Sequence, residues 1–399
     1  MIAPSDAPTK NRKATVQNIT LYRDFKEDHR TSMEIYADNL TASLNDIDQS
    51  EFTFNSYRPQ LGSILGHLPE KANLKMRAAR YISYPDQAKN VQGNINHIMD
   101  HGYAHLMTKL DPSRTVITVH DIIPILAGRG LIHGVTDQRR ARLAEWTSRF
   151  YKKAAHIIAI SESTKRDLVD HCGCDERKIS VIYFGINSLF KKHQNQEKEI
   201  LREKLGLPTN KYLILVTGQQ FYKNLSTSLR VMELLRERYG SDIVLVRLGR
   251  ETDEWRNDIS KNTFHNQIIQ LGFLSQEQLP QLYNSVDCLL FPSWYEGFGL
   301  PPVEAMACGT PVVTSNVASL PEAAGDSAVT SAPDDVEGLA DGVVRLLEDS
   351  DFRKSRISKG FLHAKQFNWK QNASRTMDVY TSSTHDKGSK TGSSQTRKL

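Results

Sequence analysis

Two glutamates, Glu296 and Glu304, with seven residues between them, lie in the segment from Phe291 to Val313, the most specific chemical signal in the chain. The apolar stretch ahead of them, in Asp287–Pro292, reads as a short buried strand. Gly297, Phe298 and Gly299 then form a turn, Pro301 and Pro302 suit the first turn of a helix, and Val303 to Ala307 reads as helix interior. Strand, glycine turn and helix together aim backbone N–H groups and the positive end of a helix at an anion. A second unit of this kind runs from the apolar strand Tyr212–Thr217 through Gly218 to Lys223 at a helix start. With Glu296 in a turn and Glu304 inside a helix, the two carboxylates suit opposite ends of one elongated ligand, as a nucleoside diphosphate sugar is.

The segment, together with the Cys308-Gly309-Thr310-Pro311-Val312-Val313 run that follows, resembles the glutamate-x7-glutamate motif of the retaining glycosyltransferases of family 4, group 1. A strand-turn-helix unit with acidic surface residues occurs in any α/β protein, but here the glycines, prolines and both glutamates match together. The resemblance implies an α/β fold of two Rossmann-like doubly wound domains facing a central cleft, the GT-B architecture. It implies that Glu296 contacts the donor sugar and that Glu304 hydrogen-bonds the nucleotide ribose. It also implies that Gly218, Gly297, Phe298, Gly299 and Leu300 border the donor and that Lys223 sits on its diphosphate. The Leu271–Ser275 turn, with Phe273 and Leu274, resembles the family's turn whose backbone meets the base, and His120 resembles the family's histidine facing donor sugar and acceptor.

These residues need parallel strands to position them. Asn18–Phe25, Asn94–Met99, Arg114–Asp121, Ala155–Ile160 and Lys178–Asn187 read as strands of a first sheet, with a helix over Ser32–Leu44. His120 and Asp121 then stand at the carboxyl end of a strand, where such folds place ligand contacts. His105 is a weaker candidate for the same cleft, and a core histidine satisfied by backbone is the bland reading of either. The loop Lys26–Thr31 is charged where the family commonly carries glycines, so the acceptor side departs from the family's pattern. An arginine common among relatives is replaced at Gln219, Gln220 and Tyr222, and Arg247 or Arg250 is the candidate substitute. The expected division is a polar leader over 1–16, an acceptor domain over 17–192, a donor domain over 205–365, a helix over 366–381 returning to the first domain, and a disordered tail over 382–399.

At 399 residues the chain exceeds the usual single domain. No apolar run of about 18 residues appears, which argues against a membrane span. Four cysteines are too few for a disulfide scaffold, pointing to a reducing cytoplasm. His171, Cys172, Cys174 and Asp175 lack a second ligand pair and read as a solvated turn. Forty-six acids against 51 Lys and Arg leave no global basic field, so nucleic acid is not an expected partner. Arg139, Arg140, Arg142, Arg149, Lys152 and Lys153 gather locally. A solvated helix face is the bland reading, and peripheral contact with an anionic inner membrane face or a phosphorylated acceptor the sharper one.

The expected activity is transfer of a hexose from a nucleotide-activated donor, GDP-mannose favoured, to a glycan or lipid-linked glycan. No cofactor or metal is expected: Lys223 and the turn's N–H groups can stabilise the leaving diphosphate, and Asp46-Ile47-Asp48 lies in an early polar loop. The family implies front-side attack with retention; a carboxylate nucleophile, Glu296 or Asp121, stays open. The alternatives are a nucleotide-sugar 2-epimerase and a non-catalytic relative that binds the nucleotide sugar without turnover.

Overall fold

The computed structural model describes residues 16–47, 51–61, 72–132, 138–193 and 198–385. The expected leader up to residue 15, Asp48, and the tail from residue 386 lie outside the described residues. Two six-stranded sheets, all parallel, make up the frame. The first holds β1 (Gln17–Tyr22), β2 (Phe52–Tyr57), β3 (Ile95–Ile98), β4 (Thr115–Val119), β5 (His156–Ala159) and β6 (Ile179–Val181) in the order β2-β1-β3-β4-β5-β6. The second holds β7 (Tyr212–Thr217), β8 (Ile243–Leu248), β9 (Ile268–Gly272), β10 (Cys288–Phe291), β11 (Val312–Ser315) and β12 (Val329–Ser331) in the order β12-β11-β10-β7-β8-β9.

Helices cover both faces, so the central strands are buried on both sides and read as continuous apolar runs rather than alternating ones. β3, β4, β10 and β11 are buried along their whole length. Each sheet reverses its direction of growth once, between β1 and β3 and between β7 and β10, and ligands of such sheets bind in the crevice beyond the carboxyl ends at that point.

Several elements differ from expectation. β1 ends at Tyr22; Arg23 still donates its N–H to the Tyr57 carbonyl at 2.9 Å, while its side chain pairs with Glu34 and Asp38 on the helix Thr31–Asn45. The last strand of the first sheet keeps only Ile179–Val181 in register. Beyond it Tyr183 and Phe184 turn toward the second half, where their rings meet Phe298 at 5.7 and 6.2 Å. β2 has no counterpart in the sequence reading; it is an edge strand with one buried residue, Phe52, too polar to announce itself. The helix Trp369–His385 runs four residues beyond Thr381, its hydroxyls at Thr381, Ser382 and Ser383 bonding back to Met377 and Val379 carbonyls. That helix lies against Thr31–Asn45, with the Tyr380 hydroxyl 2.5 Å from His97 Nδ1 and Trp369 against Tyr36.

The polar stretch before the second sheet contains a helix, Lys198–Lys204, with Leu201 and Arg202 buried. The Arg202 guanidinium donates to the carbonyls of Ser285 (2.8 Å), Thr209 (3.0 Å) and Lys211 (2.9 Å) and to Asp287 Oδ2 at 2.7 Å. Asp287 in turn accepts the Leu213 N–H at 2.7 Å, so one buried acid ties this helix to the start of β7. Losing Arg202 removes its bonds to three carbonyls, while Asp287 keeps Lys198 Nζ at 2.5 Å. Arg202→Ala is therefore expected to cost about 2–4 kcal/mol for buried groups left unbonded, read as a lower urea midpoint at unchanged slope.

Candidate functional site

The second sheet's switch point holds the strongest cluster of charge. From β7 the chain passes Gly218, whose φ of +102° suits glycine, then a short helical turn, Phe221–Lys223, and Asn224 at φ +54° before the helix Leu225–Tyr239. A Cβ on Gly218 would stand 2.6 Å from Lys223 Cγ, so the missing side chain makes room for the lysine. From β10 the chain passes Pro292 to Gly299 into the helix Leu300–Ala307, with Pro301 and Pro302 in its first turn as expected.

Neighbours hold that loop tightly. The Asn224 amide donates to the carbonyls of Pro292 and Pro333 at 3.0 and 2.7 Å, and the Ser319 hydroxyl bonds the carbonyls of Glu296 and Phe298 at 2.8 and 2.9 Å. Lys223 and Glu296 meet between the two loops. Lys223 Nζ lies 2.8 and 3.0 Å from the two Glu296 oxygens and 4.8 Å over the Phe291 ring, with both side chains almost wholly covered. The sequence reading set these residues on different parts of one ligand; in this structure they bond each other.

Glu304 stands one helix turn into Leu300–Ala307 and accepts the Tyr283 hydroxyl at 3.0 Å. It borders a small cavity of about 60 Å³ with Leu300, Gln276 and Leu279. Burial pushes its carboxyl up to about 7, against the pull of Tyr283 and Lys223. Phe298 points away from the crevice into an aromatic cluster with Tyr183, Phe184 and Phe367. Of the expected base-side turn, Phe273 is 76% exposed and Leu274 packs against the core.

Across the crevice, His120 follows β4. Its Nε2 lies 2.8 Å from the Met99 carbonyl, which places the proton there, and its buried Nδ1 has no partner. Burial, and then His101, push the ring's pKa down to about 4, so it is neutral near pH 7 and offers a lone pair rather than a charge. The two halves touch at this point: a Cβ on Gly297 would stand 2.2 Å from the His120 carbonyl oxygen, so only glycine permits this approach. Thr164 bonds the Gly297 carbonyl at 3.3 Å from the first half.

His105 does not join the cleft; it packs between Tyr81 and Trp146, with Nε2 at 2.8 Å from the Arg80 carbonyl. Arg247 does not reach it either. Its fully buried guanidinium donates to the Gly218 carbonyl at 2.6 Å and lies 4.8 Å over Trp255, bracing the turn from behind.

Three contributors escaped the sequence reading. Tyr222, half-buried, has its pKa raised by desolvation and then by the charges of Glu296 and Asp121. Tyr283 holds Glu304. Glu322, from the second half, accepts the N–H groups of Glu162 (2.7 Å) and Ser163 (2.8 Å), capping a helix of the first half. No local pattern announces a cap supplied from so far along the chain. Among the described residues no group of three His, Cys, Asp or Glu side chains is placed to hold a metal ion, and no helix is long and apolar enough to cross a membrane.

Comparison with known proteins agrees with this geometry. The family description "Glycosyl transferases group 1" matches residues 197–363, and "Glycosyltransferase Family 4" matches residues 64–188. The chain is 30% identical over 244 residues to O-antigen chain mannosyltransferase B of Escherichia coli, covering 58% of this chain and 64% of that one. It is 26% identical over 377 residues to the serotype-specific mannosyltransferase WbdA of Escherichia coli, covering 89% of this chain and 45% of that one. The chain thus spans less than two thirds of the length of either relative.

Among solved structures, sucrose-phosphate synthase from Thermosynechococcus elongatus superposes with a TM-score of 0.70 at 17% identity, covering 93% of this chain and 100% of that one. Anabaena Alr3699/HepE in complex with UDP-glucose superposes at 0.67 and 18%, covering 92% and 100%. At such identities the likeness concerns the fold, which is the GT-B arrangement of two facing α/β halves.

The Glu304 environment generates a test of its own. A carboxyl whose pKa rises on folding, from 4.5 to about 7, contributes stability that is fully present below about pH 4.5 and lost as pH climbs through 7. Glu304→Gln removes that loss, so the variant is expected to gain stability relative to the unmutated protein as pH rises from 4.5 through about 7. Parallel pH–stability curves for the two proteins would contradict the assignment.

Proposed function

The chain belongs to the family 4, group 1 glycosyltransferases, and we propose that it transfers a hexose, mannose favoured, from a nucleoside diphosphate donor to a glycan or lipid-linked glycan in polysaccharide or glycolipid synthesis. The observation that carries the proposal is the Lys223–Glu296 pair at the switch point of the second sheet, next to Gly297, which abuts the carbonyl of His120 from the opposite half. The pair presents a cation suited to a diphosphate and an acceptor suited to sugar hydroxyls, side by side. The names of the Escherichia coli relatives favour mannose, and GDP-mannose is the donor we propose.

In this reading the donor's diphosphate takes Lys223 from Glu296, and the first turn of Leu300–Ala307 adds the positive end of a helix. Glu296, released, accepts from sugar hydroxyls. Glu304 accepts from the ribose. Neutral His120 accepts a hydroxyl hydrogen bond at Nδ1, and its low pKa makes it a poor base, which suits a reaction whose leaving phosphate takes the acceptor's proton. We further propose retention of configuration and independence of metal, since the leaving charge has protein partners. Exposed Trp146 and Leu143 beside Arg139, Arg140 and Arg142 favour work at an anionic membrane face.

The test is incubation with GDP-mannose, UDP-glucose and ADP-glucose in the absence of acceptor. Slow release of the free nucleoside diphosphate is the expected result, persisting in excess EDTA. Conversion of the donor to an epimer would favour an isomerase, and binding without release a non-catalytic relative. Lys223→Ala is expected to lower the release rate by roughly 10²-fold, as loss of one preorganised donor does, whereas Glu304→Ala weakens nucleotide binding about tenfold or more.

A further inference from the structure

Lys223 is the only lysine or arginine between Gly218 and Asn224, so the turn after β7 offers a bound anion a single side-chain charge. Two aromatic rings accompany it. Lys223 Nζ lies 4.8 Å from the centre of the Phe291 ring and 5.5 Å from that of Tyr222, within the roughly 6 Å over which a ring's face attracts a cation. Phe291 closes β10 and is buried, so its ring belongs to the frame. Tyr222 stands in the same short helical turn as the lysine itself.

The Tyr222 ring is held in its place. Its carbonyl accepts the Trp294 N–H at 2.8 Å, which ties the residue to the loop that carries Glu296. The Phe221 ring stands edge-on to it at 5.4 Å, and Tyr222 packs against the apolar cluster that the first half shares with Tyr295. Desolvation, and then the charges of Glu296 and Asp121, keep its hydroxyl protonated at neutral pH. Lys223 therefore meets an uncharged phenol.

A lysine that binds a diphosphate by leaving Glu296 must stay in place while its partners change. Its stem is fixed over Gly218, where a Cβ would stand 2.6, 2.9 and 3.1 Å from the lysine Cγ, Cδ and Cε. Its ammonium carries three N–H donors, and Glu296 holds it at 2.8 and 3.0 Å. A ring's face attracts the charge without engaging a directed N–H, so those donors stay available to whichever oxygens are near. A carboxylate at position 222 would compete with the phosphate for them, and an arginine there would repel the lysine. A ring does neither. Its attraction strengthens where water is excluded, and the Lys223 side chain is only 12% exposed.

Resting on the reading of Lys223 as the ligand of the donor's diphosphate, we propose that Tyr222 is a positioning residue for Lys223: its ring, with that of Phe291, keeps the ammonium aimed into the crevice while its hydrogen-bond partner changes from Glu296 to a phosphate oxygen. The ring face carries this role and the hydroxyl does not.

Two measurements on the full chain test it. In protein made with isotopically labelled lysine, the Lys223 ε-CH2 signal, assigned through Lys223→Arg, is expected upfield of ordinary lysines because it lies over aromatic rings. It stays upfield when the protein is saturated with whichever of GDP, UDP and ADP binds most tightly, moves toward the ordinary position in Tyr222→Leu, and keeps its place in Tyr222→Phe. Binding of that nucleoside diphosphate is then compared with binding of its own nucleoside. Tyr222→Leu is expected to weaken the diphosphate about fivefold or more with the nucleoside unchanged, and Tyr222→Phe to stay within about twofold of the unmutated protein.

A Lys223 signal that returns among ordinary lysines when the diphosphate binds overturns the proposal. So does equal weakening of nucleoside and diphosphate by Tyr222→Leu, no weakening of either, or a loss in Tyr222→Phe as large as that in Tyr222→Leu. If no diphosphate binds more tightly than its nucleoside, the diphosphate reading of Lys223 fails, and the signal of the unliganded proteins judges the ring contact separately. If Tyr222→Leu does not fold, judged by its melting curve, fluorinated phenylalanines at position 222 decide: they keep the ring's shape and drain the negative charge from its face, so diphosphate affinity is expected to fall with each added fluorine, and an affinity indifferent to fluorine overturns the proposal.

Discussion

Lys223 and Glu296 come from loops that leave neighbouring strands, β7 and β10, where the second sheet reverses its order, and their ion pair holds those loops at one separation. Much of the surrounding structure supports it. Arg247 braces the Gly218 turn from beneath, Asn224 clamps Pro292, and Ser319 fixes the main chain on both sides of Gly297. Two opposite charges that are nearly covered are costly to keep there unless each satisfies the other, and removing one strands its partner. An ion pair in this position also stores the two kinds of contact that a sugar diphosphate requires. A ligand that offers an anion to the lysine and hydroxyls to the glutamate can replace the pair without leaving either charge unmet.

The same constraint sets the relation between the halves. Gly297 adjoins Glu296 and touches the carbonyl of His120, so the crevice beside Glu296 and the end of β4 meet without any intervening side chain. Glu322 caps a helix of the opposite half, and the terminal helix locks Tyr380 onto His97. These contacts bring the switch points of both sheets to the same cleft. One crevice carries the Lys223–Glu296 pair, and the other the pairs Arg30–Asp100 and Arg80–Asp28.

Much of this was legible in the residues. Strands buried on both faces are continuous apolar runs, so β4, β7 and β10 were clear, and the prolines after Gly299 marked the start of a helix in the right place. The family pattern singled out Lys223, Glu296 and Glu304. What the sequence withheld were relations between distant segments. Nothing near Glu296 says that Lys223 bonds it across 73 positions, nothing near Glu304 announces Tyr283, and nothing in Pro321-Glu322 foretells a cap for Glu162. The charged loop Lys26–Thr31 looked like a departure from the family. Its meaning lies in Arg80 and Asp100, which neutralise it from segments 50 to 75 residues away (roughly the span of two βα units). Arg247 misled as a spare cation, because an arginine at the end of a strand reads as exposed until its stacking on Trp255 is seen.

The central claim is that the donor is bound by exchanging partners with the Lys223–Glu296 pair, and a crystal structure of the protein with GDP-mannose tests it most directly. The account predicts Lys223 Nζ on a diphosphate oxygen and Glu296 on sugar hydroxyls, with the direct bond between them broken. A donor bound while the ion pair remains intact, or bound away from the crevice between β7 and β10, would contradict it.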